Sequence, residues 1–180
     1  VQMNFTGQHR CKYDDYSDDK IGLIVIATGT YTDMHNLNEP SINDAIPDIQ
    51  LCSKQNDKRV FGVVSGSEDN TKGRKFQNGN FVSLYDFEDG ERTFVNSIGE
   101  GSIWVCNVGG DLENGDLITT SNVMGYGMRQ DDDLIRNYTV GKVTQDVDFN
   151  NIHSWNQTRT VTHNGVNHTA VLAGCVYYCG

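Results

Sequence analysis

Histidine side chains are the groups in this 180-residue chain best suited to bind a metal or to transfer protons. His163 and His168 fall on one face of a predicted hairpin, where they could meet His153 or a carboxylate. Two histidines without a third defined ligand are weak evidence for a metal site. The segment Gln8-His9-Arg10 is compatible with a buried polar anchor. We therefore expect no metal site and no cofactor.

Aspartates occur in runs at positions 14–15, 18–19 and 131–133, and oxygen ligands of this kind bind Ca²⁺. None of the runs has the spacing of an EF-hand loop, and a run of charges more often marks a solvated loop. The sequence also contains no G-x-S-x-G, H-E-x-x-H, Walker or G-x-G-x-x-G motif. We expect no catalytic residues, which favours a protein that is not an enzyme.

Five cysteines raise the question of whether the chain forms disulfides. The disulfide candidates are Cys11, Cys52, Cys106, Cys175 and Cys179. Their number is odd, and no pair has the C-x-x-C spacing of a zinc site. Within one strand Cys175 and Cys179 would lie about 13 Å apart, too far to pair with each other. Each remains a candidate for pairing with one of the other three, and buried free thiols are the alternative.

Four N-x-T sequons make asparagine glycosylation a further modification to consider. They begin at Asn4, Asn137, Asn156 and Asn167. Chance placement of Asn and Ser/Thr in this composition predicts about two sequons. Together with the cysteines and the acidic composition, the excess predicts a secreted, extracellular chain that carries N-linked glycans.

The charge balance excludes two classes of partner. Lys and Arg number 14 and Asp and Glu number 24, which gives a net charge of −10 at pH 7. Nucleic-acid backbones and anionic membranes repel such a surface, so we expect neither partner. The longest uncharged apolar run, Ile21–Ala27, is far shorter than the roughly 20 residues of a membrane span. It does not alternate, so we predict a strand buried on both faces at the centre of the structure.

Short apolar runs separated by Gly, Asn and Asp predict a mainly β protein. We predict strands at 21–28, 59–65, 80–87, 92–97, 102–107, 116–120, 138–146, 157–163 and 166–178. One short helix is predicted at Ser41–Ile46 or Asp131–Arg136, where acidic residues would complement the helix dipole. The expected architecture is a single barrel-like or sandwich domain over residues 11–180, preceded by a donor-type strand at residues 1–10.

Three Asx-Gly turns help to define the strand order. Asn164-Gly165 can adopt the positive φ angles of a type I′ hairpin, which would pair His163 with Val166. One face of this hairpin then carries Arg159, Val161, His163, Val166, His168 and Ala170. The opposite face carries Thr158, Thr160, Thr162, Asn167 and Thr169 and is wholly polar. Asp89-Gly90 and Asn114-Gly115 predict further turns.

The opening segment has the alternation of a half-buried strand. Val1, Met3 and Phe5 would point one way, and Gln2, Asn4 and Thr6 the other. Covering the three apolar side chains would contribute about 5–8 kcal/mol of transfer free energy. The cover is a neighbouring copy if this is a donor strand, or the chain's own body if it is an intramolecular strand. A frayed end is the third alternative.

Several blocks of the sequence resemble a known domain. These blocks are 7–10, 20–25, 57–63, 96–107, 113–121, 125–133 and 137–142, with Gly-Glu-Gly-Ser-Ile-Trp-Val-Cys-Asn at 99–107 and Glu-Asn-Gly-Asp-Leu-Ile-Thr-Thr-Ser at 113–121 among the more specific. The sequence over roughly residues 7–149 resembles the C-terminal intramolecular-chaperone domain of bacteriophage tail-spike and neck-appendage proteins, which also occurs in uncharacterised viral and algal proteins. The resemblance implies a mostly β domain associated with fibre assembly, in which tail-spike relatives cleave their own chain.

These features together predict a structural protomer that polymerises with itself into an extracellular, glycosylated helical filament. Val1, Met3 and Phe5 would form the subunit interface by strand donation into a neighbouring subunit. One alternative is a self-cleaving intramolecular chaperone, a peptidase domain released from a longer fibre or capsid-associated precursor. A second alternative is a carbohydrate-binding β module that uses Trp104 or Trp155.

Overall fold

The computed structural model describes residues 7–32, 46–67, 74–78, 81–85 and 92–179, and it confirms the mainly β prediction. The strands are β1 (Gln8–Cys11), β2 (Ile24–Thr32), β3 (Ile46–Leu51), β4 (Val60–Ser67), β5 (Arg74–Asn78), β6 (Phe81–Tyr85), β7 (Thr93–Asn96), β8 (Ile98–Cys106), β9 (Leu117–Thr120), β10 (Gly127–Arg129), β11 (Thr139–Val143), β12 (Thr158–His163) and β13 (Val166–Tyr178). Two three-residue 3-10 helices, Asp18–Lys20 and Asn107–Gly109, complete the described elements. No helix within these ranges is long and apolar enough to span a bilayer.

Five strands form a curled sheet in the order β1-β7-β4-β2-β3. Its two outer strands meet where Lys12 follows β1. The N–H of Lys12 donates to Pro47 O at 3.0 Å, and the N–H of Ile49 donates to Lys12 O at 3.0 Å. These bonds join β1 to β3 and curl the sheet around its own interior. Strands β5 and β6 pair with each other as a separate hairpin.

The second unit is a closed barrel. Its strands follow the order β11-β9-β10-β8-β13, and pairing of β11 with β13 completes the ring. Strand β12 lies outside the ring, because it pairs with the first half of β13 while β11 pairs with the second half. The long β8–β13 ladder, which runs from Ile98 opposite Tyr178 to Cys106 opposite Ala170, is the backbone of this barrel.

Strand β2 lies between two cores, as the unbroken apolar run predicts. Ile24 and Ile26 pack into the core that the curled sheet shares with the barrel, together with Ile103. Val25 points the opposite way, into the interior of the curled sheet with Val95. All five side chains are fully buried, so the prediction of a central strand is confirmed for the middle of the run.

The β12–β13 hairpin has the predicted register. His163 pairs with Val166, and Thr162 pairs with Asn167. Asn164 and Gly165 have φ angles of 50° and 77°, as a type I′ turn requires. Gly115 also has a positive φ, of 106°, in the turn before β9. The Asp89-Gly90 turn lies outside the described residues.

The helix prediction at Asp131–Arg136 is wrong. This segment is a loop in which the Asp132 carboxylate accepts hydrogen bonds from the Leu134 N–H at 3.1 Å and from Gln130 Nε2 at 2.8 Å. A side chain that satisfies nearby main-chain donors competes with helix formation. The other candidate, Ser41–Ile46, lies outside the described residues except for Ile46, which begins β3.

Candidate assembly surface

One edge of β8 carries main-chain hydrogen-bonding groups that no other described strand occupies. Between Ile98 and Ser102 this strand pairs with β13 alone. The N–H of Trp104 points away from β13 and donates to Gly22 O at 2.9 Å. Because main-chain groups alternate in direction along a strand, those of Glu100 and Ile98 also point away from β13. Gly7 lies against the Ile98 groups, whereas the Glu100 groups face no other described strand, so a further strand can pair there.

The Tyr177 side chain occupies the end of the same edge. Its hydroxyl accepts a hydrogen bond from the Ser102 N–H and donates one to Ser102 O, both at 2.9 Å. The ring reaches this position by crossing Gly101, where a Cβ would lie 2.2 Å from the hydroxyl oxygen. Burial raises the pKa of Tyr177, so its hydroxyl stays protonated and can donate at neutral pH.

Strand β1 begins beside this edge. Gly7 O accepts hydrogen bonds from the Ser97 N–H at 2.9 Å and from Ser97 Oγ at 3.1 Å. A Cβ at Gly7 would lie 2.4 Å from Ile98 O, so only glycine allows this approach. The chain turns at Gly7. The segment that precedes the turn, Val1–Thr6, therefore joins the described structure next to Ile98.

A cavity of about 520 Å³, within the range of ligand-binding clefts, lies between the curled sheet and the barrel. Its mostly apolar lining includes His9, Val60, Phe61, Ile135, Tyr178 and Cys179. The His9 ring packs against the Phe61 ring with 5.4 Å between centroids. Four separate parts of the chain therefore line the cavity: β1, β4, the loop before β11 and the end of β13.

Ile98 and Tyr178 connect the β8 edge to this cavity. They pair directly across the β8–β13 ladder, so their side chains lie on the same face of the barrel. Ile98 is 52% exposed and Ile135, in the cavity wall, is 67% exposed. Large apolar side chains that are exposed together mark interaction surfaces. We call the β8 edge at Ile98–Glu100 and this cavity the assembly surface.

The charge nearest the cavity is already paired. Arg136 contributes to the lining, and its Nη2 donates to Asp132 Oδ2 at 2.9 Å. Hydrogen bonds from Arg136 and then from Gln130 lower the pKa of Asp132, which keeps the carboxylate ionised. Because the guanidinium is neutralised within its own loop, the cavity suits an uncharged apolar group.

The predicted donor residues Val1, Met3 and Phe5, and the sequon residue Asn4, lie outside the described residues. Gln8–Arg10, which the sequence analysis placed in the same N-terminal strand, belong to β1 and pair with β7 of their own chain. The assignment of these three residues to a donated strand is therefore wrong.

The other three sequons differ in how they present their asparagine. Asn137 and Asn167 are exposed, and Asn167 Oδ1 accepts a hydrogen bond from Thr162 Oγ1 at 2.7 Å, which leaves its amide nitrogen facing outward. Asn156 is half-buried, and its Nδ2 donates to Leu172 O at 3.5 Å. A glycan fits Asn167 better than Asn156, because N-linkage uses the amide nitrogen. Asn137 is exposed but lines the apolar cavity, where a glycan would compete with any other occupant.

The five predicted disulfide candidates are free thiols in this structure. Cys106 Sγ lies 3.6 Å from Ser121 Oγ, and Cys52 Sγ lies 3.8 Å from Tyr126 O, to which Ser121 also donates. Burial raises the pKa of each thiol, to about 12 at Cys11, Cys52, Cys175 and Cys179. At neutral pH these thiols stay protonated, which makes them poor nucleophiles.

The histidines do not converge on a metal centre. His163 and His168 share a face, with 6.5 Å between ring centroids, and His168 Nδ1 contacts Asn107 Oδ1 at 3.3 Å. His153 instead stacks on Trp155 at 5.4 Å. Within the described ranges, no three His, Cys, Asp or Glu side chains lie close enough together to hold a metal ion.

The two tryptophans lie in opposite environments. Trp104 is 3% exposed, and the Arg159 guanidinium covers its ring at 4.0 Å. Its indole N–H donates to Ile21 O at 3.1 Å, so this ring is closed to a ligand. Trp155 is 64% exposed, which leaves it as the tryptophan that an external group can contact.

Comparison with known proteins returned no relative of this chain. No protein-family model matches it, and no match was found among curated proteins or among solved structures. The resemblance to the tail-spike chaperone domain stays a prediction.

Proposed function

We propose that this protein is the protomer of an extracellular, glycosylated filament, in which residues 1–6 of one copy pair with the β8 edge of the next. The observation that carries the proposal is the edge of β8 at Glu100, which no other described strand pairs and which lies beside the start of β1, where Gly7 contacts Ile98. An exposed edge of this kind accepts an added strand through main-chain hydrogen bonds, while alternate side chains give specificity.

A comparison of burial and association free energies indicates why the apolar side chains Val1, Met3 and Phe5 also need main-chain pairing at this edge. Burial of Val1, Met3 and Phe5 contributes about 5–8 kcal/mol. Association costs an estimated 4–15 kcal/mol in lost translational and rotational freedom. Over the upper half of this range the apolar term alone does not hold two copies together. Added main-chain hydrogen bonds, each worth about 0.5–1.5 kcal/mol net, are required for a stable polymer.

The charge of the opening segment favours the approach of a neighbouring copy. Residues 1–6 contain no charged side chain, in a chain whose net charge is −10. An uncharged segment can approach a second acidic copy with little repulsion. Head-to-tail donation that does not close produces an open fibre.

The exposed Asn167 side chain supports the extracellular part of the proposal. Sequon asparagines are modified in proteins that enter the secretory pathway, and the bulky glycan requires an exposed site. Asn167 lies on the polar face of the β12–β13 hairpin, away from the assembly surface. Intact-mass measurement before and after deglycosylation of protein from a secreting eukaryotic host tests this part directly.

The test of assembly uses the full chain and changes only the two faces of the opening segment. The first variant combines Val1→Asp, Met3→Asp and Phe5→Asp, and the matched control combines Gln2→Asp and Asn4→Asp. Light scattering and electron microscopy measure the concentration at which filaments appear. We expect the first variant to raise this threshold at least about tenfold, a change of about 1.4 kcal/mol or more, and the control to change it less than about threefold.

Salt provides an independent readout. Because each copy carries a charge of −10, we expect the threshold to fall as salt is raised from about 10 mM to about 150 mM. Wild-type protein that stays monomeric at every concentration and salt level would refute the filament. Filaments of the apolar-face variant at the wild-type threshold would refute strand donation.

A further inference from the structure

The apolar cavity needs an occupant, and we propose that it is the acceptor pocket for the Val1, Met3 and Phe5 side chains of a second copy. This inference rests on the proposed function and deepens it, because it names where the donated side chains lie. Main-chain pairing along Ile98 and Glu100 would set the direction of the donated strand. The cavity would then select its apolar face.

The cavity lies close to the β8 edge. Tyr178 lines the cavity and pairs across the ladder with Ile98 on the β8 edge. Gly7 contacts Ile98, and His9, two residues further on, lines the cavity, so the edge and the cavity adjoin at the start of β1. Alternate residues of the added strand lie about 6.6–6.8 Å apart, so its three apolar side chains span about 13 Å on one face.

The lining of the cavity is mostly apolar. The exposed wall of the cavity is formed by Ile135 and Tyr178, and its floor includes Val60 and Phe61. The nearby Arg136 is neutralised by Asp132 at 2.9 Å. An uncharged segment with apolar residues at every second position matches the apolar part of this lining.

The edge of β12 is the competing acceptor in the described structure, and it lacks these features. Its outer side chains are the exposed Thr158, Thr160 and Thr162. No residue of β12 lines the apolar cavity. Val1, Met3 and Phe5 would bury little apolar surface against the exposed threonines of β12. The donated segment is therefore expected at β8.

Neighbouring residues of the same loop offer a matched experiment. Ile135 and Leu134 are 67% and 59% exposed, but Ile135 lines the cavity and Leu134 does not. We expect Ile135→Asp to raise the filament threshold at least about tenfold and Leu134→Asp to change it less than about twofold. Both exposed positions should keep the melting temperature within about 2–4 °C of wild type.

Ile98→Asp, at a second exposed position, serves as an independent variant of the same surface, and we expect the same loss of assembly. If Ile135→Asp and Ile98→Asp both assemble like wild type while the opening-segment variant does not, strand donation stands and this pocket is wrong. If the opening-segment variant also assembles normally, the proposed function itself is wrong. A concentration-independent monomer that buries its own opening segment would refute both.

Discussion

The β8 edge and the β12 edge are both unpaired among the described residues, yet their surroundings differ in kind. Strand β12 presents three exposed threonines, and its hairpin partner carries the Asn167 sequon. Strand β8 presents Ile98 and adjoins an apolar cavity. The first edge is polar on the outside, whereas the second combines free main-chain groups with apolar surface.

The contrast indicates how one molecule can restrict association to a single edge. Exposed strand edges promote aggregation unless they are short, polar or covered. The β12 edge spans six residues and is polar. The β8 edge is covered at one end by the Tyr177 hydroxyl on Ser102, and the remaining part lies next to the cavity. The part of the β8 edge that Tyr177 does not cover can therefore define the association site.

Proline substitutions in β8 and β12 test the difference between the two edges and have the largest expected effect on filament assembly. At Glu100 and Thr160 the N–H points away from β13, so proline removes an outward donor in each strand without removing a ladder bond. We expect Glu100→Pro to raise the filament threshold at least about tenfold and Thr160→Pro to leave it nearly unchanged. Light scattering over a concentration series measures both.

Equal effects of the two prolines on assembly would contradict the assignment of association to β8. Thermal melting of both variants provides the control, because each proline should destabilise the fold by a similar amount. An assembly defect that follows the melting temperature alone would show that the edge itself has no specific role.

Substitution of one glycine in β8 and one in the β12–β13 turn compares the two regions by the free energy of unfolding. A Cβ at Gly101 would lie 2.2 Å from the buried Tyr177 hydroxyl, whereas a Cβ at Gly165 in the β12–β13 turn meets nothing within 4 Å. We expect Gly101→Ala to destabilise the protein by about 1–3 kcal/mol, since the ring must move. Gly165→Ala should cost about 1 kcal/mol through its positive φ alone. Urea unfolding measures both, and a smaller loss at Gly101 would contradict the tight packing of Tyr177.

Removal of single hydroxyls has the smallest expected effect. Tyr177→Phe leaves Ser102 N–H and O without their partner, which should cost about 1–2 kcal/mol. Thr162→Val removes an exposed hydroxyl that bonds Asn167 on the β12 side, and surface changes of this kind stay within about 0.5 kcal/mol. Urea unfolding of both variants checks the difference. Equal losses would mean that the Tyr177 hydroxyl contributes no more than a surface contact.

Local patterns predicted the β12–β13 hairpin completely. Asn164-Gly165 requires positive φ at two successive positions, and that requirement fixes the pairing of every residue in the two strands. The same reasoning missed the first half of β8, because Gly99-Glu100-Gly101 has the composition of a turn. The Tyr177 ring, distant in sequence, covers Gly101 and makes a strand possible there.

No local sequence pattern predicts the cavity. Its lining joins Phe61, Ile135 and Tyr178, which come from three distant parts of the chain. The β3 and β10 strands were missed, and Gln8–Arg10 were assigned to a donated strand although they pair with β7 of their own chain, because pairing with distant neighbours has no local signal. Only the fold shows that the edge and the cavity adjoin.

The most direct test of strand donation mixes two full-length variants with complementary defects. The copy with Val1→Asp, Met3→Asp and Phe5→Asp keeps an intact acceptor, and the Ile135→Asp copy keeps an intact donor segment. Analytical ultracentrifugation should find each variant monomeric alone and a one-to-one heterodimer in the mixture. A mixture that stays monomeric, or filaments from either variant alone at the wild-type threshold, would contradict donation from one copy into the pocket of another.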